Sequence, residues 1–280
     1  MGTPYRLREA ADSHVVVVAF LGTECPLAKL YAARLVEVAN KYNDQGVTVW
    51  GINSNRQDTP TEIAAYARRH KIEFPLLKDP GNKVADLFGA TRMPEVFVLD
   101  EQRMIRYYGR IDDQFGVGYA QAKAKTNFLV QAIEELLAGK PVTTPQTEAA
   151  GCLIGRIARR DPTGSVTYTN QIARILQRRC VECHRETGIA PFALTSYEEA
   201  AGWAEALLES ISDNCMPPWH AHPAHGKFSN QARMPAREKK LFREWIDNGT
   251  PTGDPAALPP PRQFANSWRI GEPEQIIRMP

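Results

Sequence analysis

Two groups of residues in this 280-residue chain have types and spacings that suit redox chemistry. The first is Cys180-Val-Glu-Cys183-His184. Two thiols separated by two residues can add across the two vinyl groups of a haem, and the histidine after them is placed to bind the iron from one side. A zinc site or a redox dithiol is the other use of such spacing. Met216-Pro-Pro-Trp219 comes next, a thioether on a stiff Pro-Pro turn that suits the opposite axial position, with Trp219 expected to pack at the haem edge. His220, His222 and His225 lie within nine residues of Met216 (225 − 216), so each competes for that position, and an open sixth site is the further alternative.

The second group centres on Cys25. It comes after a β-branched run, Val15–Leu21, and precedes Pro26, a residue suited to the first turn of a helix. A sulfur at a helix N-terminus faces free N–H groups and the positive end of the helix dipole, which favour the thiolate. Farther along, Pro94 in Arg92-Met-Pro-Glu95 is a candidate cis peptide facing that sulfur. Cys215 is given no role and is expected to face the interior.

The elements that must position these groups can be read from hydrophobic period and punctuation. Strands are expected at Val15–Leu21, Val47–Ile52, Phe74–Leu77, Glu95–Leu99 and Met104–Tyr108. Helices are expected at Pro26–Tyr42, with Leu27, Leu30, Leu35 and Val38 on the apolar side, and at Thr61–His70, Val84–Phe88 and Ala120–Leu137. Alternating β and α with a terminal hairpin and helix implies an α/β three-layer domain over residues 1–141. Residues 142–168 are rich in Thr, Pro, Gly and Arg without a sustained period and read as a linker or an arm on a domain surface. Within it, Arg156, Arg159 and Arg160 read as a solvated face, or as a dock for haem propionates or an acidic partner. Helices at Gln171–Arg179, Glu198–Ser212 and Ala236–Asn248 make residues 169–255 a small all-α domain around the haem. Residues 256–280 form a Pro-rich, extended tail.

Phe20-Leu-Gly-Thr-Glu-Cys25-Pro-Leu-Ala-Lys-Leu-Tyr31, Thr91-Arg-Met-Pro-Glu95 and the order of elements resemble the thioredoxin-fold redoxins, the superfamily of peroxiredoxins and thiol–disulfide reductases. The resemblance covers residues 14–140 and implies a thioredoxin-like fold with Cys25 as the reactive thiol. Two departures bear on activity. The position three after Cys25, which holds the second cysteine of the dithiol pattern, is Ala28; the peroxiredoxin threonine belongs three positions before the cysteine, and Thr23 is two before. Cys152, in Ala150-Gly-Cys-Leu-Ile154, is the candidate partner, since some related domains carry a Gly-Cys there; the alternative is a small packed residue. Residues 168–255 resemble a small cytochrome c-type domain, with Cys180 and Cys183 in thioether bonds, His184 as proximal ligand and Met216 as sixth ligand. The tail from Trp268 is similar to the opening of copper type II monooxygenase-like domains, which implies a downstream copper-enzyme domain or another redox partner protein.

The expected function is therefore electron transfer between a thiol site and one covalent haem c. The alternatives are a peroxidase that uses Cys25, and a non-enzymatic module delivering electrons to the copper domain. A net charge of +2 without a basic stripe excludes nucleic acid as a partner. The longest apolar run, His14–Leu21, is too short to span a bilayer. Haem c is attached outside the bacterial cytoplasm, so a periplasmic or otherwise exported protein is expected. Residues 1–13 lack a leader pattern, which suggests a mature or recombinant fragment whose leader has been removed.

Overall fold

A computed structural model describes residues 5–116, 119–156, 164–218, 221, 223–226, 228–264 and 273–276. Trp219, His220, His222, Arg159, Arg160 and, in the tail, residues 265–272 and 277–280, including Trp268, lie outside the described residues. The chain divides into two compact units, residues 1–159 with 198–209 and residues 160–197 with 210–280.

The first unit is built on a five-stranded sheet. Val15–Phe20 (β1) is a run of six buried residues, as a strand covered on both faces must be. It pairs in parallel with Val47–Asn53 (β2), in register Val15 to Val47. Pro26–Tyr42 (α1) makes the crossover between them. Pro60–Arg69 (α2) leads from β2 to Leu76–Lys78 (β3), and Lys83–Phe88 (α3) comes next. After the short Arg92–Met93 (β4), Glu95–Leu99 (β5) and Ile105–Gly109 (β6) complete the sheet in antiparallel sense, in the order β3-β2-β1-β5-β6. This is the thioredoxin-like α/β arrangement that the sequence led one to expect.

Helix α1 begins at Pro26 with Cys25 as its N-cap, and α2 begins at Pro60 behind a full capping box of Thr59 and Glu62. The buried stripe of α1 is Leu27, Ala28, Tyr31, Ala32, Leu35, Val38 and Tyr42. Leu30, expected inside, sits ~130° around the axis from the middle of that stripe at 100° per residue, and it is 53% exposed. The long helix expected from Ala120 is also shorter. Phe115–Gly116 (β7) and Tyr119–Ala120 (β8) pair as a small hairpin, and the helix is Phe128–Leu137 (α4). Its start is set by Asn127, whose side chain accepts from Val130 N–H, while Asp113 takes the N–H groups of Lys125 and Thr126 before it.

The arm after α4 stays close to the first unit. Tyr108 N–H donates to the Pro145 carbonyl and Thr147 N–H to Tyr108. Cys152–Leu153 (β9) then pairs antiparallel with β4, Met93 opposite Cys152 and Arg92 opposite Leu153. Arg156, read as solvated, is instead held by Asp86 and the Ala90 carbonyl.

In the second unit a π-helical turn, Tyr168–Ile172, runs into Ala173–Arg179 (α5), which leads to Cys180. The helix expected over 198–212 is two, Tyr197–Gly202 (α6) and Ala204–Ser212 (α7), interrupted at the buried Trp203. Residues 198–209 of these helices belong to the first unit. Ala236–Asp247 (α8) buries Phe242 and Trp245 and places Glu238, also buried, between Arg178 and Arg179. No helix among the described residues is long and apolar enough to cross a membrane.

Candidate functional site

All the loops around Cys25 leave one end of the sheet. In a parallel sheet the C-terminal ends of neighbouring strands share an edge, so the segments leaving β1, β2 and β3 converge there. The antiparallel β5 contributes the segment that precedes it, Arg92–Pro94. Cys25 is 0% exposed, and its thiol donates to the Met93 carbonyl at 3.1 Å. The Met93–Pro94 peptide is cis, as expected for Pro94.

Cys152 reaches the same point through the pairing of β9 with β4. Cys152 is the largest of the influences that lower the Cys25 pKa to about 7, its thiol acting as a hydrogen-bond partner that favours the Cys25 thiolate. Burial opposes the shift, while the N–H groups of Ala28, Cys152 and Leu27 support it. The Cys25 thiol makes no capping bond, so those N–H groups serve the thiolate. Cys152 moves the other way: the neighbouring Cys25 first, and then its partial burial, hold it as the thiol. One thiolate and one thiol side by side are the parts of a dithiol–disulfide couple. Both cysteines are unbonded here, with Cys152 part-exposed.

Gly151 makes this approach possible. Its φ is +136°, and a Cβ there would lie 2.0 Å from the Met93 carbonyl oxygen, a backbone atom with little freedom to yield. Gly151→Ala is therefore expected to lift the arm and take Cys152 with it. The disulfide yield after mild oxidation, read by differential alkylation and mass, should fall at least about fivefold, since strain of this kind costs on the order of 1–3 kcal/mol. A wild-type yield would show that the arm does not need this close contact.

Sequence reasoning missed three supports. Arg92 donates to the Gly151 carbonyl at 2.8 Å and pairs with Glu209 through both its terminal nitrogens. Buried Asp58 accepts from Thr23 N–H at 2.9 Å and from Asn53 at 2.6 Å. Asn55 joins Asp58 to the arm at Gly155. The signal was available: Asn53-Ser-Asn-Arg-Gln-Asp58 is a polar run directly after a core strand, at the sheet end where Cys25 lies. At the peroxiredoxin threonine position, Gly22 has no room for a side chain, because a Cβ would meet Asn55 Nδ2 and Met93 Sδ at 2.8 Å.

In the second unit, His184 N–H and Cys183 N–H both donate to the Cys180 carbonyl, so the three residues share one turn. The His184 ring is buried, with Nδ1 3.1 Å from the Phe192 carbonyl. A carbonyl only accepts, so Nδ1 carries the proton and Nε2 keeps its lone pair. Burial lowers the His184 pKa and keeps the ring neutral, the form that ligates iron. Burial also raises Cys180 to about 12, which disfavours it as a free redox thiolate. Among the described residues no three His, Cys, Asp or Glu side chains converge on one point.

Met216 is 41% exposed, on a loop whose Cys215 and Met216 N–H groups return to Ser210 O. Cys215, expected to be interior, is exposed, because this tight return turns its side chain outward. His225 lies in a short turn, Pro223–His225. Trp219, His220 and His222 lie outside the described residues.

The AhpC/TSA family model matches residues 1–108, a stretch that contains Cys25 and Pro94 and ends before Cys152. The chloroplastic peroxiredoxin Q of Sedum lineare is 30% identical over 112 residues, 38% of this chain and 59% of that protein. The thiol-disulfide oxidoreductase ResA of Halalkalibacterium halodurans is 26% identical over 100 residues, 36% of this chain and 55% of that protein. The chain thus spans less than two thirds of the length of these curated relatives. Among solved structures, a hypothetical protein from Sinorhizobium meliloti 1021 is 34% identical with a TM-score of 0.53, covering 56% of this chain and 88% of that one.

Proposed function

We propose that this chain, which belongs to one family with the Sinorhizobium protein and whose N-terminal part is a thioredoxin-fold redoxin domain of the AhpC/TSA type, exchanges electrons between a Cys25–Cys152 pair and a covalent haem c. The observation that carries the thiol part is geometric: β9 sets Cys152 opposite Met93, the residue whose carbonyl accepts from the Cys25 thiol at 3.1 Å. The haem part rests on the donor set. Cys180 and Cys183 would hold the group through thioether bonds, and His184 would bind iron through Nε2, since Nδ1 is committed to Phe192. Met216 would be a further ligand to the iron, with His220 the alternative. A haem held there supplies one-electron transfer at a potential raised by thioether ligation. The cysteine pair is a two-electron couple, so one disulfide corresponds to two haem equivalents. Haem c attachment outside the cytoplasm makes this an exported, periplasmic protein, with a redox protein or a downstream copper-enzyme domain as its electron partner.

A second reading is favoured by the complete burial of Cys25. A small hydroperoxide reaches such a sulfur more readily than a protein disulfide does. The Cys25 thiolate would attack the peroxide, forming a sulfenic acid and releasing an alcohol after protonation. The Cys152 thiol would then displace water to give the disulfide. Similarity to a peroxiredoxin Q accords with this reading, and Gly22 in place of the threonine weighs against it.

Intact mass under thiol-alkylating, denaturing conditions tests the proposal, on protein exported through a cytochrome c maturation system. The expected result is one added haem, with Cys25 and Cys152 blocked until reduction. Full thiol turnover in Cys25→Ser would overturn the thiol reading, and peroxide consumption that depends on Cys25 would select the peroxidase.

A further inference from the structure

A single amide lies between the loop that ends in Cys25 and the arm that carries Cys152. Asn55 is 0% exposed. Its Nδ2 donates to Asp58 Oδ2 at 3.2 Å, and its Oδ1 accepts from Gly155 N–H at 2.9 Å. Only this orientation satisfies both partners, because a carboxylate can only accept and an N–H can only donate. The same Asp58 oxygen accepts from Thr23 N–H, two residues before Cys25. Gly155 is three residues after Cys152. Its carbonyl is held in turn by Arg56 N–H at 2.9 Å and by Asn82 Nδ2 at 3.4 Å, while Ile154 N–H donates to Thr91. The arm is therefore pinned on both sides of Cys152, by Arg92 at Gly151 and by the Asn55 loop at Gly155.

We infer that Asn55 is a positioning residue for the thiol pair: through Asp58 and Gly155 it fixes the separation of the two segments that carry Cys25 and Cys152, so that disulfide formation needs only side-chain movement. The inference rests on the thiol-exchange reading given above. Its physical basis is the effective concentration of one sulfur at the other, which falls when the arm gains freedom. Asn55 makes no contact with either sulfur in the hydrogen-bond pattern, so it acts through the backbone it holds.

The test is equilibration of the full chain with reduced and oxidised glutathione. Cys25 thiolate attacks glutathione disulfide and expels one glutathione thiolate. Cys152, as thiolate, then attacks the Cys25 sulfur and expels the second. The net reaction turns one glutathione disulfide and two protein thiols into one protein disulfide and two glutathiones. In Asn55→Ala the equilibrium constant for the protein disulfide is expected to fall roughly tenfold, the scale of one or two buried hydrogen bonds. The control is Asn127→Ala, which removes the N-cap of α4 and lowers stability without touching either segment. Its thiol equilibrium should stay within about twofold of wild type.

An unchanged constant in Asn55→Ala, or an equal fall in both variants, overturns the inference. Should Asn55→Ala fail to fold, hydrogen exchange at the Gly155 amide of the reduced wild-type protein decides instead. Protection like that of the sheet supports the bridge, and exchange as fast as an exposed loop removes it. A wild-type chain that never forms the Cys25–Cys152 disulfide sinks the thiol reading, and Gly155 exchange then tests the bridge independently.

Discussion

Replacing Cys152 with alanine is expected to raise the ionisation midpoint of Cys25 from about 7 by roughly one to two pH units, towards the ordinary thiol value of 9.0. The Cys152 hydrogen bond is the largest of the influences that lower it. Without that bond, burial becomes the dominant influence, opposed by the N–H groups of Leu27 and Ala28 at the helix start and of residue 152 on the arm. At pH 7 the wild-type thiol is about half ionised; with a pKa of 9 the thiolate would be on the order of one part in a hundred, a ~50-fold loss of nucleophile. The measurement is the pH profile of Cys25 alkylation, normalised to its alkaline plateau so that easier access in the variant cancels. A midpoint unchanged by the substitution would remove Cys152 as the source of activation.

The same shift has a stability consequence of definite sign. A thiol whose folded pKa is depressed contributes stability that is fully present above the unfolded value and is lost as pH falls through the folded value. For Cys25 that window runs from about 9 down to about 7. The reduced wild-type protein should therefore gain about 2 kcal/mol between pH 7 and 9 relative to Cys25→Ala. Cys152, shifted upward, contributes the opposite trend only above its ordinary range. Denaturant midpoints of the two reduced proteins across this window check the sign.

The largest spectroscopic effect should come from Cys180→Ala combined with Cys183→Ala. Wild-type protein exported with haem maturation is expected to keep one haem through denaturation, and the double variant is expected to keep none. Loss of His184 should act differently. The two thioether bonds would hold the haem covalently, but the neutral Nε2 donor fixed by the Phe192 carbonyl would be gone. His184→Ala should thus retain part of the covalent haem mass while its haem absorption spectrum departs from that of the wild type. Wild-type protein without added mass after export would overturn the haem proposal, whatever the variants do.

The legible parts of this molecule were those written in short stretches of chain. The six buried residues of β1, the Pro26 start of α1 and the Cys25 between them are local facts of composition and order. Pro94 was legible for the same reason. Cys152 could be named as a partner only through a family resemblance, because nothing within ten residues of it tells where the arm goes. Leu30 was misread because a periodic pattern leaves the centre of the buried stripe undetermined, and that centre is set by what α1 packs on. The start of α4 was misread because its caps, Asn127 and the Asp113 carboxylate, compete with helix continuation in a way that period alone does not record.

By itself, the sequence determined the types of chemistry available here: a thiol at a helix start, a Cys-x-x-Cys-His turn, a proline before a core strand. Those depend on covalent neighbours and on helix and strand periods, which act over a few residues. The tertiary structure decided which groups meet. Pairing of β9 with β4 brings Cys152 to a sulfur 127 residues earlier (152 − 25). The missing side chain of Gly151 lets that approach close, and Asp58 and Asn55 hold both segments from a loop that carries no sulfur. Hydrogen bonds and thiol–thiolate contacts act over a few ångströms. Whether two distant residues come within that range is set by the packing of the whole sheet edge, and no local pattern states it.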